Sequence, residues 1–241
     1  MSESMGSRGG TFPATPWSVL LQNDSEGSPT HAAWEKLARA YWKPLYVFLR
    51  RKEGDHNTAA DAIQGFFAHL MSREFLRKVE RGDGRFRSFL LTSLQNWRRD
   101  QHRAATAQKR GGGSPVIPLH EIEEVTGDEG GLDDSPEKAF DRRWARTLID
   151  NALEQLRERL ESRGREAHFL KLRGLFTGEG TAPYAKIAAD LGTTEGAVQQ
   201  AALELRREFG NVLRQEISRT VTDEGQVDGE IRYLLGLLRG G

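Results

Sequence analysis

Apolar side chains recur every three to four residues along most of the chain, and no stretch alternates long enough to demand a strand. The clearest stripe is Phe86, Phe89, Leu90, Leu94 and Trp97, inside the stretch Gly84 to Arg110; Arg98, Arg99, Arg103, Lys109 and Arg110 gather toward its far end. An earlier stripe runs through Trp34, Leu37, Tyr41, Leu45, Phe48 and Leu49. Pro44 lies inside it, and because proline removes an amide donor and crowds the preceding turn, a kink or break is predicted near Tyr41 to Lys43. Ala59, Ala62, Ile63, Phe66, Phe67 and Leu70 predict a third helix, with Asn57 as its cap. A shorter one around Arg73 to Val79 ends at the turn Arg81-Gly82-Asp83-Gly84.

The second half starts at Ser135-Pro136-Glu137, which offers a cap, a proline at the first position and an acid near the positive helix end. Phe140, Trp144, Leu148, Ala152, Leu156 and Leu160 continue that helix, and Glu166 to Phe176 predicts another. Tyr184, Ile187, Ala188 and Leu191 then mark a short helix, Gly192 a turn, and Thr193 or Thr194 a cap. Ala197, Val198, Ala201, Ala202 and Leu205 pack back. A small residue at Ala188 and a glycine at the turn let two helices cross closely, and the agreement of spacing, turn and cap favours a helix-turn-helix over an ordinary helical hairpin. A final helix runs through Phe209, Val212, Leu213 and Ile217; after a break at Thr222 to Gly229, a tail helix through Ile231 to Leu238 is expected to dock on the body or on a partner.

The expected fold is therefore all-α: an N-terminal extension (1–30), a helical domain (31–110), a linker (111–135), a helix-turn-helix domain (136–219) and a tail (220–241). Gly111-Gly112-Gly113 opens the linker, where three consecutive glycines make a continuing helix costly by about 1 kcal/mol each. Phe12 and Trp17, beside Pro13 and Pro16, read as an extended segment clamped to the body by its aromatics.

Composition changes this picture in one respect. The 241 residues carry 35 basic and 35 acidic side chains, a formal net charge of zero. Residues 71–110 nevertheless hold eleven Lys or Arg against four Asp or Glu, and residues 111–141 hold nine acids against one Lys. The neutrality is a sum of opposed blocks, and the basic one suits either solvent or a nucleic acid. Absent cysteines exclude disulfides and thiolate metal sites, and the six histidines form no ligand spacing. No paired carboxylates, Ser/His/Asp set or phosphate-cradling loop is apparent, so neither enzyme activity nor a cofactor is expected. No apolar run predicts a membrane span and no leader pattern a secretory signal; the cytoplasm is the expected compartment.

Together these motifs resemble the extracytoplasmic-function group of bacterial sigma factors, in particular the branch that begins with Phe-Pro-x-Thr-x-Trp, here Phe12-Pro13-Ala14-Thr15-Pro16-Trp17. The resemblance implies a sigma-2-like domain that binds the polymerase clamp and opens the −10 promoter element, and a sigma-4-like helix-turn-helix domain that reads the −35 element. Ala60-Asp61-Ala62-Ile63-Gln64-Gly65-Phe66-Phe67 is similar to the clamp-binding signature, assigning Asp61, Gln64 and Phe67 to polymerase contact. Phe86 to Arg103 is similar to the melting segment, and Lys109-Arg110-Gly111-Gly112-Gly113 also looks like that branch.

On that reading Arg85, Phe86, Arg87, Asn96, Arg98, Arg99 and Arg103 face the −10 element, with phosphate contacts around an aromatic and a base-edge contact from Asn96. Phe86 and Phe89 suit a core better than a stacking platform, and Asn96, Asp100 and Arg103 are spaced to satisfy one another. Thr194, Glu195, Gln199, Gln200, Arg206 and Arg207 are assigned to the −35 element, and Arg214 lies further along. Members usually place bases where this chain has Gln199, Gln200, Ala201 and Glu204, and a carboxylate near phosphates weakens binding. The implied partners are core RNA polymerase, through its beta-prime clamp and beta flap, and promoter DNA as duplex and non-template strand, with room for an anti-sigma protein and none for a membrane. A sigma-like regulatory binder that contacts polymerase or DNA without directing initiation alone is the rival.

Overall fold

The computed structural model describes residues 17, 31–72, 75, 84–107, 135–177 and 180–239. Every regular element among them is helical. They are α1 (His31–Glu53), α2 (His56–Leu70), α3 (Phe86–Ala107), α4 (Pro136–Glu161), α5 (Glu166–Leu172), α6 (Gly174–Thr177), α7 (Tyr184–Leu191), α8 (Glu195–Ser218), a 3-10 turn (Glu224–Gln226) and α9 (Val227–Arg239). The Phe12 to Pro16 segment, most of the Arg73 to Val79 helix, the acidic linker up to Asp134 and the Lys109 to Gly113 motif lie outside the described residues.

Four features differ from the sequence expectation: Glu166 to Phe176 is divided at Arg173 into α5 and α6, the tail helix begins at Val227 inside the expected break, and α1 and the cap of α2 depart as follows. α1 runs unbroken through Pro44, because Tyr41, Leu45, Phe48 and Leu49 on either side are all buried and hold the helix against the lost hydrogen bond. α2 is capped by Asp55 rather than Asn57: the Asp55 side chain accepts from the Thr58 N–H at 2.7 Å, which also holds its carboxyl below the ordinary range. The start of α4 follows the sequence, with Ser135 accepting from the Lys138 N–H at 3.3 Å and Pro136 in the first turn.

Two buried clusters organise the chain. The first joins α1, α2 and α3 to the first half of α4, the last turns of α8 and the tail helix, through Phe48, Phe66, Phe86, Leu90, Phe140, Trp144, Val212, Ile217, Val227 and Leu234, among others. The second joins the far half of α4 to α5, α7 and the first half of α8 through Leu156, Leu160, Phe169, Ile187, Val198 and Leu205. α4 and α8, of 26 and 24 residues, therefore belong to both, each about 35–40 Å long at 1.5 Å per residue. Phe209 touches both clusters. Full burial of one such Phe or Leu contributes about 1.5–3 kcal/mol, so the seam along α1, α4 and α9 is a large part of what holds the tail down.

Candidate functional site

The N-terminus of α3 is a junction. Phe86 has no exposed surface and lies edge-on to Trp17 and Tyr41, with ring centroids 5.1 and 5.3 Å apart. Its backbone N–H donates to the Thr220 carbonyl at 2.8 Å, and the Gly84 N–H donates to Thr222 Oγ1 at 3.0 Å. Donors at a helix start, which have no partner within the helix, are thus met by the segment that leads into α9.

The flanking arginines complete the junction. Arg87 is 5% exposed and donates from Nε to Glu230 Oε1 at 2.6 Å and from Nη1 to Asp141 Oδ1. Its guanidinium also lies 5.4 Å from the Trp144 ring and 5.1 Å from the Tyr233 ring. Arg85, partly exposed, pairs with Glu230 Oε2 at 2.5 Å. Burial alone would push the Arg87 guanidinium down; the Glu230 hydrogen bond and the Asp141 and Glu230 charges outweigh it and hold it above its ordinary value. Tyr233 donates to Asp141 Oδ2 at 2.6 Å, and burial together with that bond pushes its hydroxyl up to about 12. Glu230 itself is 0% exposed.

Further along α3 the predicted residues divide. Arg98 turns to α1, donating from Nε to Glu53 at 2.9 Å, and this hydrogen bond lowers the Glu53 carboxyl. Asn96, Arg99, Asp100 and Arg103 face solvent together, with Asn96 Oδ1 accepting from Arg99 at 3.2 Å and Arg103 3.8 Å from Asp100. The positions assigned to the −10 element therefore do not form one surface: Phe86 and Arg87 are interior, Arg85 and Arg98 are paired to other helices, and Asn96, Arg99 and Arg103 are presented outward.

On α2, Asp61 is exposed, Gln64 half-buried and Phe67 buried against the core. Asp61 and Gln64 share an outward face, whereas Phe67 supports it from inside. α2 and α3 approach closely at Gly65, where an added Cβ would come within 3.0 Å of the Trp97 ring.

The second unit is α7, a turn and α8. Gly192 closes α7 in the left-handed region at φ 63°, a conformation open to glycine at little cost. Thr194 caps α8, accepting from the Ala197 N–H at 3.2 Å. Glu195, Gln199, Gln200, Arg206 and Arg207 are all exposed, as expected of one polar face. Leu203 stands among them 50% exposed, a position that sequence periodicity did not single out. Glu204 is neutralised locally: its Oε2 accepts two hydrogen bonds from Arg165 at 3.1 Å, its Oε1 accepts from Gln200 at 3.3 Å, and these bonds, Gln200 first, hold its carboxyl below the ordinary range.

No family model, curated protein or solved structure matches the chain. Its chemistry is therefore read from these surfaces. Among the described residues no cluster of His, Asp or Glu could hold a metal ion, and no helix is long and apolar enough to cross a membrane. At the α3 junction the residues that sequence reasoning missed are Asp141, Glu230 and Tyr233. They come from two helices remote from α3 in sequence, and only the close approach of those helices brings them to Arg87.

Proposed function

We propose that the chain is an initiation subunit of bacterial RNA polymerase, of the extracytoplasmic-function sigma type. The observation that carries this reading is the helix-turn-helix: a glycine turn at Gly192, a Thr194-capped α8, and an exposed face of Gln199, Gln200, Arg206 and Arg207. Glutamine amides suit adenine edges and the two guanidinia suit flanking phosphates, while Leu203 suits a thymine methyl group. The pairing of Glu204 with Arg165 removes the like-charge objection that the sequence raised.

The remaining surfaces take complementary parts. Asp61 and Gln64 dock on the polymerase clamp, with Phe67 shaping that face from within; Asn96, Arg99 and Arg103 meet the non-template strand of the opened −10 element. Polymerase performs the chemistry, and this protein contributes binding and positioning with no catalytic residue or cofactor of its own. The rival, a binder that contacts polymerase or DNA without directing initiation alone, is favoured by one observation: Arg87 and Phe86 are buried in this arrangement.

Run-off transcription decides between them. Purified core polymerase is assayed with and without this protein on fragments of its own genome. Discrete new start sites that vanish in the Asp61→Ala/Gln64→Ala protein support the reading. Polymerase binding with no start site on any fragment refutes initiation by this protein alone and leaves the rival; no polymerase binding refutes initiation and leaves of the rival only a binder of DNA.

A further inference from the structure

The tail offers the start of α3 the same kind of ligand that a nucleic-acid phosphate offers, an anionic or carbonyl oxygen. Glu230 takes both Arg85 and Arg87, Asp141 takes Arg87 from the other side, and Thr220 and Thr222 take the backbone donors of Phe86 and Gly84. A buried carboxylate is costly unless it is paired, and apolar residues of similar volume commonly fill such a position with equal or better stability. Glu230 therefore does something at this place that packing alone does not call for: it matches the charge of the segment it covers. Val227 and Leu234 seat α9 on the core, and Asp228 pairs with Arg214 of α8 at its first turn.

We propose that α9 with the preceding segment 220–226 is an intramolecular cover over the Arg85–Arg87 segment, with Glu230 standing in for a DNA phosphate, and that this segment binds single-stranded DNA only after the cover leaves. The inference rests on the reading given under Proposed function, and it assigns that reading its regulation. In the closed form DNA must compete with Glu230 and Asp141 for the same guanidinia. Its apparent affinity is then reduced by the fraction of molecules that are open. Opening takes the Glu230 carboxylate off the DNA-facing surface and releases Arg85, while Arg87 keeps Asp141 of α4, so the local charge rises by one and the salt dependence of binding steepens.

Two perturbations of the full chain test the cover. Glu230→Gln removes the charge with little change of shape. Arg214→Cys/Asp228→Cys introduces the only two thiols of the chain, which a short bis-maleimide linker with a central disulfide joins and dithiothreitol releases. Binding is read by the anisotropy of a fluorescein-labelled single-stranded 20-mer, and cover release by the reactivity of Arg87 toward phenylglyoxal. Glu230→Gln is expected to bind at least tenfold tighter with Arg87 more reactive, and the bridged protein at least tenfold more weakly than the same protein after reduction. A folded Glu230→Gln protein with unchanged affinity, or equal affinities for the bridged and reduced forms, overturns the cover. If Glu230→Gln does not fold, the bridged pair decides alone. Failure of the initiation reading is recognised separately: the unaltered chain then yields no start site with core polymerase, while anisotropy and Arg87 reactivity still judge the cover.

Discussion

Arg87 Nε lies 2.6 Å from Glu230 Oε1, joining side chains 143 positions apart in the chain and both almost wholly out of solvent. Removing one member of a buried pair costs about 3–5 kcal/mol when it leaves the other charge uncompensated. Glu230→Ala leaves Arg87 its second partner, Asp141, so it is expected to lose stability toward the lower end of that range in equilibrium urea unfolding. Arg87→Met/Glu230→Leu is expected to lose less than Glu230→Ala, because both charges leave together and Asp141 keeps its hydrogen bond from Tyr233. A double variant as unstable as the sum of its single changes would show that the two residues are not coupled.

Glu53 and Arg98 make a second, shallower pair between α1 and α3, and it has a pH signature. The Arg98 hydrogen bond lowers the Glu53 carboxyl from its ordinary value of 4.5. A depressed carboxyl contributes stability that is complete above the unfolded value and is lost as pH falls through the lower folded value. Arg98→Ala is accordingly expected to cost about 1–2 kcal/mol at pH 7, and the gap from the unaltered chain should close as pH drops below that ordinary value. Urea midpoints measured from pH 7 to pH 3 check this, and a gap that stays constant into acid sinks it.

The local elements were readable because their signals are local. The Phe86 to Trp97 stripe became α3, Ser135-Pro136-Glu137 became the start of α4, and Gly192 with Thr194 became the turn and cap before α8. Asn57 lost the cap to Asp55 by two positions, since either side chain can accept from a nearby N–H and only the backbone conformation selects one. Sequence spacing could not show that α4 and α8 each pass through two buried clusters, because periodicity reports which face is apolar and not what covers it. Arg85 and Arg87 illustrate the limit for the site. A guanidinium beside an aromatic looks the same in a sequence whether its anion is a phosphate or a glutamate 143 positions away.

Gly65 permits the close crossing of α2 and α3. A Cβ there would meet Trp97 at 3.0 and 3.1 Å, and that ring is already packed against Phe66 and His69. Gly65→Leu is expected to lose about 2–3 kcal/mol by overpacking, with a shift in tryptophan fluorescence as Trp97 is displaced. Gly65→Ala should stay within about 1 kcal/mol of the unaltered chain, because the gain in helix propensity offsets the small shift it forces. Thermal unfolding followed by fluorescence separates the two, and equal stability of the leucine variant would mean that the crossing is looser than 3.0 Å implies.

On the function proposed above, the exposed face of α8 divides into residues that read bases and residues that hold the backbone, and the two kinds are expected to fail differently. Gln199→Ala and Gln200→Ala are each expected to weaken holoenzyme binding to a −35-bearing duplex by about 1–3 kcal/mol and to relax preference at one base pair. Arg206→Ala/Arg207→Ala should instead weaken all sequences alike and lower the slope of log K against log salt by roughly 2, since each lost phosphate contact removes about 0.9. Leu203→Ala belongs with the first group, losing preference for thymine at a single position while leaving the salt slope unchanged. Anisotropy titrations at several salt concentrations, using the start-site fragments recovered by run-off transcription and their single-base variants, distinguish the two patterns. If the glutamine and arginine variants alter affinity and salt slope in the same way, α8 grips DNA without reading it, and discrimination among promoters must come from α3 alone.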